Sequence, residues 1–125
     1  MPCKLLIIDD DDDVRESLLA ILRGEGFVAE GAKSGLAALD LLTWRGFAPH
    51  AIVLDLLMPA MSGEQFRGVV QKHPVWSKIP IIVCTADRAA DVAAVGAFGV
   101  LYKPFDLEKL LELVRSACAA SGVTD

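Results

Sequence analysis

The sequence is poor in most of what membranes, nucleic acids and metal–thiolate sites require. No apolar run approaches the ~20 residues of a membrane span. The amino terminus has one early lysine and four aliphatic residues before acid, which does not read as a signal peptide. Positive charge is scarce: 12 Lys and Arg stand against 17 Asp and Glu, a net charge of −5. That balance argues against the basic surface that non-specific nucleic-acid or anionic-membrane binding needs. The two histidines, His50 and His73, each lie beside a proline with no Cys or His at ligand spacing, so zinc lacks a ligand set. Cys3, Cys84 and Cys118 are an odd number at unrelated spacings. They read as small apolar core residues in a reducing compartment, which points to the cytoplasm. Repeats, linkers and low-complexity tracts are missing as well.

What remains is a chain of 125 residues, 54% hydrophobic, expected to form a single domain over 1–125. A chain of this length buries roughly two-thirds of the surface that it exposes unfolded. Two periodicities alternate along it. "CKLLII" (3–8), "FVAEGA" (27–32), "AIVLD" (51–55), "IPIIVCTA" (79–86) and "VLY" (100–102) read as short strands. Between and after them, 14–26, 34–46, 62–73, a short piece within 87–99 and 106–120 carry helical spacing. Ser62 is suited to cap the third helix, and Asp106 stands at the start of the last. Strands apolar on both faces, each followed by a helix, predict a doubly wound α/β fold. Its five-stranded parallel sheet is covered by helices on both sides.

In such sheets chemistry gathers at the carboxyl ends of the strands, near the topological switch point. Strand one ends in Asp9 and Asp10, strand three in Asp55, strand four in Thr85 and strand five in Lys103. Strand two ends in Gly31 and Ala32, which bring no reactive group. Clustered carboxylates without a paired arginine suit a hard cation such as Mg²⁺, with Mn²⁺ as a second choice. The Thr85 hydroxyl and Lys103 ammonium can then each hold an oxygen of a transferred phosphoryl group. Phosphoryl transfer needs mainly positioning and charge neutralisation. A central carboxylate acting as nucleophile would become an acyl phosphate. The five aspartates of "LLIIDDDDDVRESL" (5–18) divide on this reading. Asp9 and Asp10 belong to the site, Asp11 to its rim, and Asp12 and Asp13 to a helix start favoured by the macrodipole.

"IIDDD", "VLDLLMPAMSG" (53–63), "VCTA" (83–86) and "LYKPF" (101–105), in this order along the whole chain, resemble the receiver domain of two-component response regulators. The resemblance implies a flavodoxin-like sheet with βα repeated five times. It implies Asp55 as phosphoacceptor, fed from the phosphohistidine of a sensor histidine kinase or a phosphotransfer protein. It further implies Asp10 on Mg²⁺ directly, Asp9 through water, and the Leu57 backbone carbonyl on the metal. Thr85 and the backbones of Leu57 and Ala86 would bond phosphoryl oxygens, Lys103 would pair with the phosphoryl group, and the Lys103–Pro104 peptide would be cis. The expected activity is self-phosphorylation and self-dephosphorylation only, with an unknown downstream protein, no nucleic acid and no membrane as partner.

Two departures from the family pattern stand out. Val100 occupies the usually aromatic switch position, and Tyr102 shares its face only if the strand stays regular. The interval from Thr85 to Lys103 is short by about one helical turn of ~3.6 residues, which predicts a shortened fourth helix and an altered output surface. No DNA-binding pattern follows the last helix, as expected of a stand-alone regulator or of a receiver excised from a larger kinase or regulator. Two rivals remain. A haloacid-dehalogenase-type phosphatase would need a general acid two residues after the nucleophile, where Leu57 stands. A phosphate-independent scaffold would not need the acids at all. Trp44 and Trp76 are expected to cover helix–sheet edges.

Overall fold

The computed structural model describes residues 2–58, 61–86 and 96–123. Its strands are β1 (Lys4–Ile8), β2 (Val28–Ala32), β3 (Ala51–Leu54), β4 (Ile81–Thr85) and β5 (Gly99–Tyr102). They form one sheet in the order β2-β1-β3-β4-β5, with every neighbouring pair parallel. The helices are α1 (Asp12–Gly24), α2 (Gly35–Thr43), α3 (Gly63–Gln71) and α4 (Leu107–Ala120), with a short 3-10 turn at Trp76–Lys78. The helix expected within 87–99, and its shortening, fall mostly outside the described residues.

Strand alternation sorts the core into two layers. Leu5, Ile7, Val53, Ile82, Cys84 and Leu101 face α1 and α4, where they meet Leu18, Leu19, Leu22, Leu110, Val114 and Cys118. Leu6, Ile8, Ile52, Leu54, Ile81 and Val83 face the other way, onto Ala38, Leu42, Phe66 and Val70 of α2 and α3. The three inner strands are therefore apolar on both sides, which is why they read as continuous apolar runs. Each fully buried Leu, Ile or Phe contributes about 1.5–3 kcal/mol relative to exposure, so the sandwich holds the sheet as a rigid platform.

Local chemistry sets the helix starts. The Asp11 carboxylate accepts the Asp13 and Val14 amides and caps α1, so α1 begins two residues before Val14 and Asp11 is a cap and not merely a rim residue. Asp12 and Asp13 lie in the first turn, as expected of helix-start acids. Ser62 caps α3 in a reciprocal box with Gln65. Asp106 caps α4 through the Glu108 amide.

Two expectations need correction. Trp44 covers nothing: it is 82% exposed at the end of α2. Trp76 does pack against the second core layer and stacks on His73 at 3.8 Å between ring centroids. The cysteines are not three reduced core residues. Cys3 and Cys118 form a disulfide, and Cys84 alone is free. The pairing joins the residue before β1 to the last turns of α4. Both partners are buried, and burial pushes the Cys84 thiol up to about 12, so it stays an inert core group.

The disulfide spans 115 residues of sequence. Closing a loop of that length removes unfolded-state entropy worth about 5 kcal/mol. Protein unfolded and refolded in reductant is therefore expected to melt on the order of 10 °C or more below the oxidised form. Calorimetric melts of the two forms check this; equal midpoints would remove the staple from the account of stability.

Candidate functional site

The switch point lies between β1 and β3, where strand order reverses. Register brings Ile8 level with Leu54, and the Asp55 amide donates to the Ile8 carbonyl at 3.0 Å. The next residues, Asp9 and Asp55, therefore emerge side by side. On the far side of β3, Leu54 pairs with Val83 and Thr85 with Tyr102, which sets Thr85 and Lys103 at the same edge. Oxygen atoms of Asp9, Asp10 and Asp55 lie within 4.8 Å of one another. Asp9, Asp55 and Thr85 are buried, while Asp10 is exposed.

One ammonium answers this crowd. Lys103 Nζ stands 2.7 Å from Asp9 Oδ2 and 3.5 Å from Asp55 Oδ2. Asp9 Oδ1 accepts the Asp11 amide at 2.9 Å, and Asp55 Oδ1 accepts the Leu57 amide at 3.0 Å. Burial pushes the Asp55 carboxyl above its ordinary range and the Asp9 charge adds to this; the Leu57 N–H and Lys103 pull it back without cancelling the rise. For Lys103, burial works against the charged form, but the hydrogen bond to Asp9 and the charge of Asp55 outweigh it and the value rises. Among the described residues, three carboxylates against one ammonium leave a surplus of negative charge on hard oxygen donors. Such a set fits a small divalent cation that retains some of its waters.

The candidate site residues Asp9, Asp10, Asp55, Thr85 and Lys103 all lie at this edge. Leu57 follows Asp55 with its amide already engaged there and its side chain half exposed. Ala86 follows Thr85 and is exposed. The Lys103–Pro104 peptide is cis, as the resemblance implies. Beside Lys103, a groove of about 630 Å³ runs between α1 and the loop after β5, lined by Val14, Leu18, Ala86, Pro104 and Phe105. β5 pairs regularly with β4 through Tyr102, so Val100 and Tyr102 do share a face, and Val100 packs on the second core layer. Arg15 stands outside the residues expected at the site, yet it touches one of them. Its guanidinium donates to the Asp9 carbonyl at 2.9 Å. The available signal was its isolation, as the sole cation between Lys4 and Arg23.

Comparison with known proteins accords with this geometry. A family model described as "Response regulator receiver domain" matches residues 5–115. The chain belongs to that family. It is 40% identical over 121 residues to a response regulator named MprA from Mycobacterium sp. (strain KMS), covering 93% of this chain and 50% of that protein. The chain thus spans about half the length of the curated relatives that it matches first. A crystal structure of a response regulator receiver protein from Pseudomonas putida superposes with a TM-score of 0.84 at 31% identity, covering 93% of this chain and 98% of that one. The response regulator TrrA of Thermotoga maritima, solved in complex with Mg²⁺–BeF, gives a TM-score of 0.79 at 27% identity, covering 92% of this chain and 98% of that one. Among the described residues, no helix is long and apolar enough to cross a membrane.

A buried carboxyl whose pKa is raised by folding stabilises the native state only while protonated. That contribution is lost as pH rises through the folded value. Asp55→Asn is therefore expected to raise the melting temperature of the cation-free protein, by roughly 1 kcal/mol of stability. The gain should be larger at about pH 8 than at about pH 4. Melts at the two pH values decide: a variant no more stable than wild type at the higher pH would contradict the burial argument.

Proposed function

We propose that this receiver domain is a phosphoacceptor of a two-component phosphorelay. Asp55 takes the phosphoryl group from a phosphohistidine on a sensor histidine kinase or a phosphotransfer protein. An Asp55 carboxylate oxygen attacks phosphorus, the P–N bond to histidine breaks, and the imidazole leaves with the bond's electrons and takes up a proton. The product is an acyl phosphate on Asp55. Asp9, Asp10, Asp55 and the Leu57 carbonyl would hold Mg²⁺, which supplies charge neutralisation between the carboxylates and the incoming phosphoryl oxygens. Lys103 then exchanges its hold on Asp9 and Asp55 for a phosphoryl oxygen, while the Thr85 hydroxyl and the Leu57 and Ala86 amides donate to the others.

The observation that carries this reading is the convergence of three carboxylates on one edge, with one ammonium spanning two of them. The apolar groove beside Lys103 supports docking of the phosphohistidine protein next to Asp55. The chain would do no chemistry beyond its own phosphorylation and dephosphorylation. Output would pass by protein contact to a downstream partner, without nucleic acid or membrane. We place it in the cytoplasm on the strength of the receiver family alone, since the Cys3–Cys118 disulfide removes the reduced-cysteine argument for that compartment.

A phosphate-independent scaffold is favoured by one observation, the aliphatic Val100 where the family pattern is aromatic. Tyr102 lies on the same face but one strand step further along. Incubation with Mg²⁺ and a small acyl-phosphate or phosphoramidate donor separates the readings. The expected result is an acid-stable, base-labile adduct that disappears in Asp55→Asn. Labelling that survives this substitution would remove Asp55 as the acceptor, and no labelling of wild type at all would leave the scaffold.

A further inference from the structure

Arg15 is set back from the carboxylates, on the second turn of α1, yet it is committed to their backbone. Its Nη1 donates to the Asp9 carbonyl at 2.9 Å and its Nη2 to Asp12 Oδ1 at 2.6 Å, with the side chain 12% exposed. The Asp9 carbonyl belongs to the peptide that joins Asp9 to Asp10, so its direction sets where the Asp10 side chain begins. On either side of that peptide, the Asp9 amide donates to the Ala32 carbonyl and Asp9 Oδ1 accepts the Asp11 amide. Arg15 supplies the hold between these two.

The stem of Arg15 reaches the carbonyl by lying across β2 at Gly31. A Cβ at Gly31 would stand 3.1 Å from Arg15 Cδ, 3.3 Å from its Cγ and 2.8 Å from Leu19 Cδ1. The terminal methyl of Leu19 can turn away. The Arg15 stem, fixed at its far end by two hydrogen bonds, can give only by moving the guanidinium.

We infer that Arg15 is a positioning residue for the cation site, fixing the Asp9–Asp10 peptide, and that Gly31 is the clearance its stem requires. This rests on the reading of Asp9 and Asp10 as cation ligands. Charge and geometry make opposite demands here. A guanidinium near a cation site repels the incoming ion, so its removal by charge alone would tighten binding. Asp12 already pairs with that guanidinium and cancels much of its field, so geometry prevails and removal weakens binding.

The test is a Mg²⁺ titration of the cation-free protein, followed by backbone amide shifts, on wild type, Arg15→Met, Arg15→Lys, Gly31→Ala and Arg15→Met with Gly31→Ala. Loss of an outer partner of a metal ligand typically weakens affinity by about tenfold or more. That loss is expected for Arg15→Met, with partial recovery in Arg15→Lys. Gly31→Ala, which changes no charge, should show a similar loss, and the double variant should be no worse than Arg15→Met because both act through one contact. Amide shifts away from the site report that each variant is folded, and Arg15→Lys and Gly31→Ala carry the test if Arg15→Met is not. Unchanged or tighter Mg²⁺ binding in the folded variants, with wild type binding, would overturn the inference alone. Additive losses in the double variant would overturn the role of Gly31. A wild type whose Asp9, Asp10 and Asp55 amides ignore Mg²⁺ would overturn the cation site itself.

Discussion

A single ammonium between two buried carboxylates is the constraint around which this fold is arranged. Asp9 and Asp55 come from neighbouring strands in parallel register, so their side chains emerge together whether or not their charges tolerate it. Desolvated like charges at that range are costly unless paired. Lys103 arrives from β5, across β4, and spans both. The apolar layers above and below the sheet hold these strand ends rigidly enough to keep an arrangement that water alone would disperse. The site is thus preorganised at the expense of local stability, a compromise familiar in functional sites.

The five consecutive aspartates show how one composition serves three physical ends. Asp9 and Asp10 point into the site, Asp11 caps α1, and Asp12 and Asp13 meet the positive end of the helix dipole. These duties are linked. The Asp11 amide donates to Asp9 while the Asp11 carboxylate holds the first turn of α1. Arg15, one turn on, reaches back to the Asp9 carbonyl. Site and helix start form one hydrogen-bonded unit.

The sheet was legible because alternation was unambiguous: Leu5 and Ile7 had to face opposite to Leu6 and Ile8, and both pairs are apolar. The site was legible because parallel strands deliver their last residues to one edge, so Asp55, Thr85 and Lys103 could be grouped without coordinates. What escaped were contacts between segments distant in sequence or dependent on side-chain reach. Cys3 and Cys118 could be paired only by knowing that the start of β1 lies against the last turns of α4. Trp44 looked like a cover because large aromatics usually bury area, but it caps the end of α2 and stands in solvent. Arg15 drew no expectation at all, since nothing local shows that its stem passes close to Gly31.

The covalent bond between Cys3 and Cys118 lies at the opposite end of the sheet from the carboxylates. It closes residues 3–118 into one covalent ring, with chain leaving on either side of it. A pull exerted through the chain on either side of that ring would travel across one sulfur–sulfur linkage and bypass every strand. The acid-lined edge would carry none of that particular load.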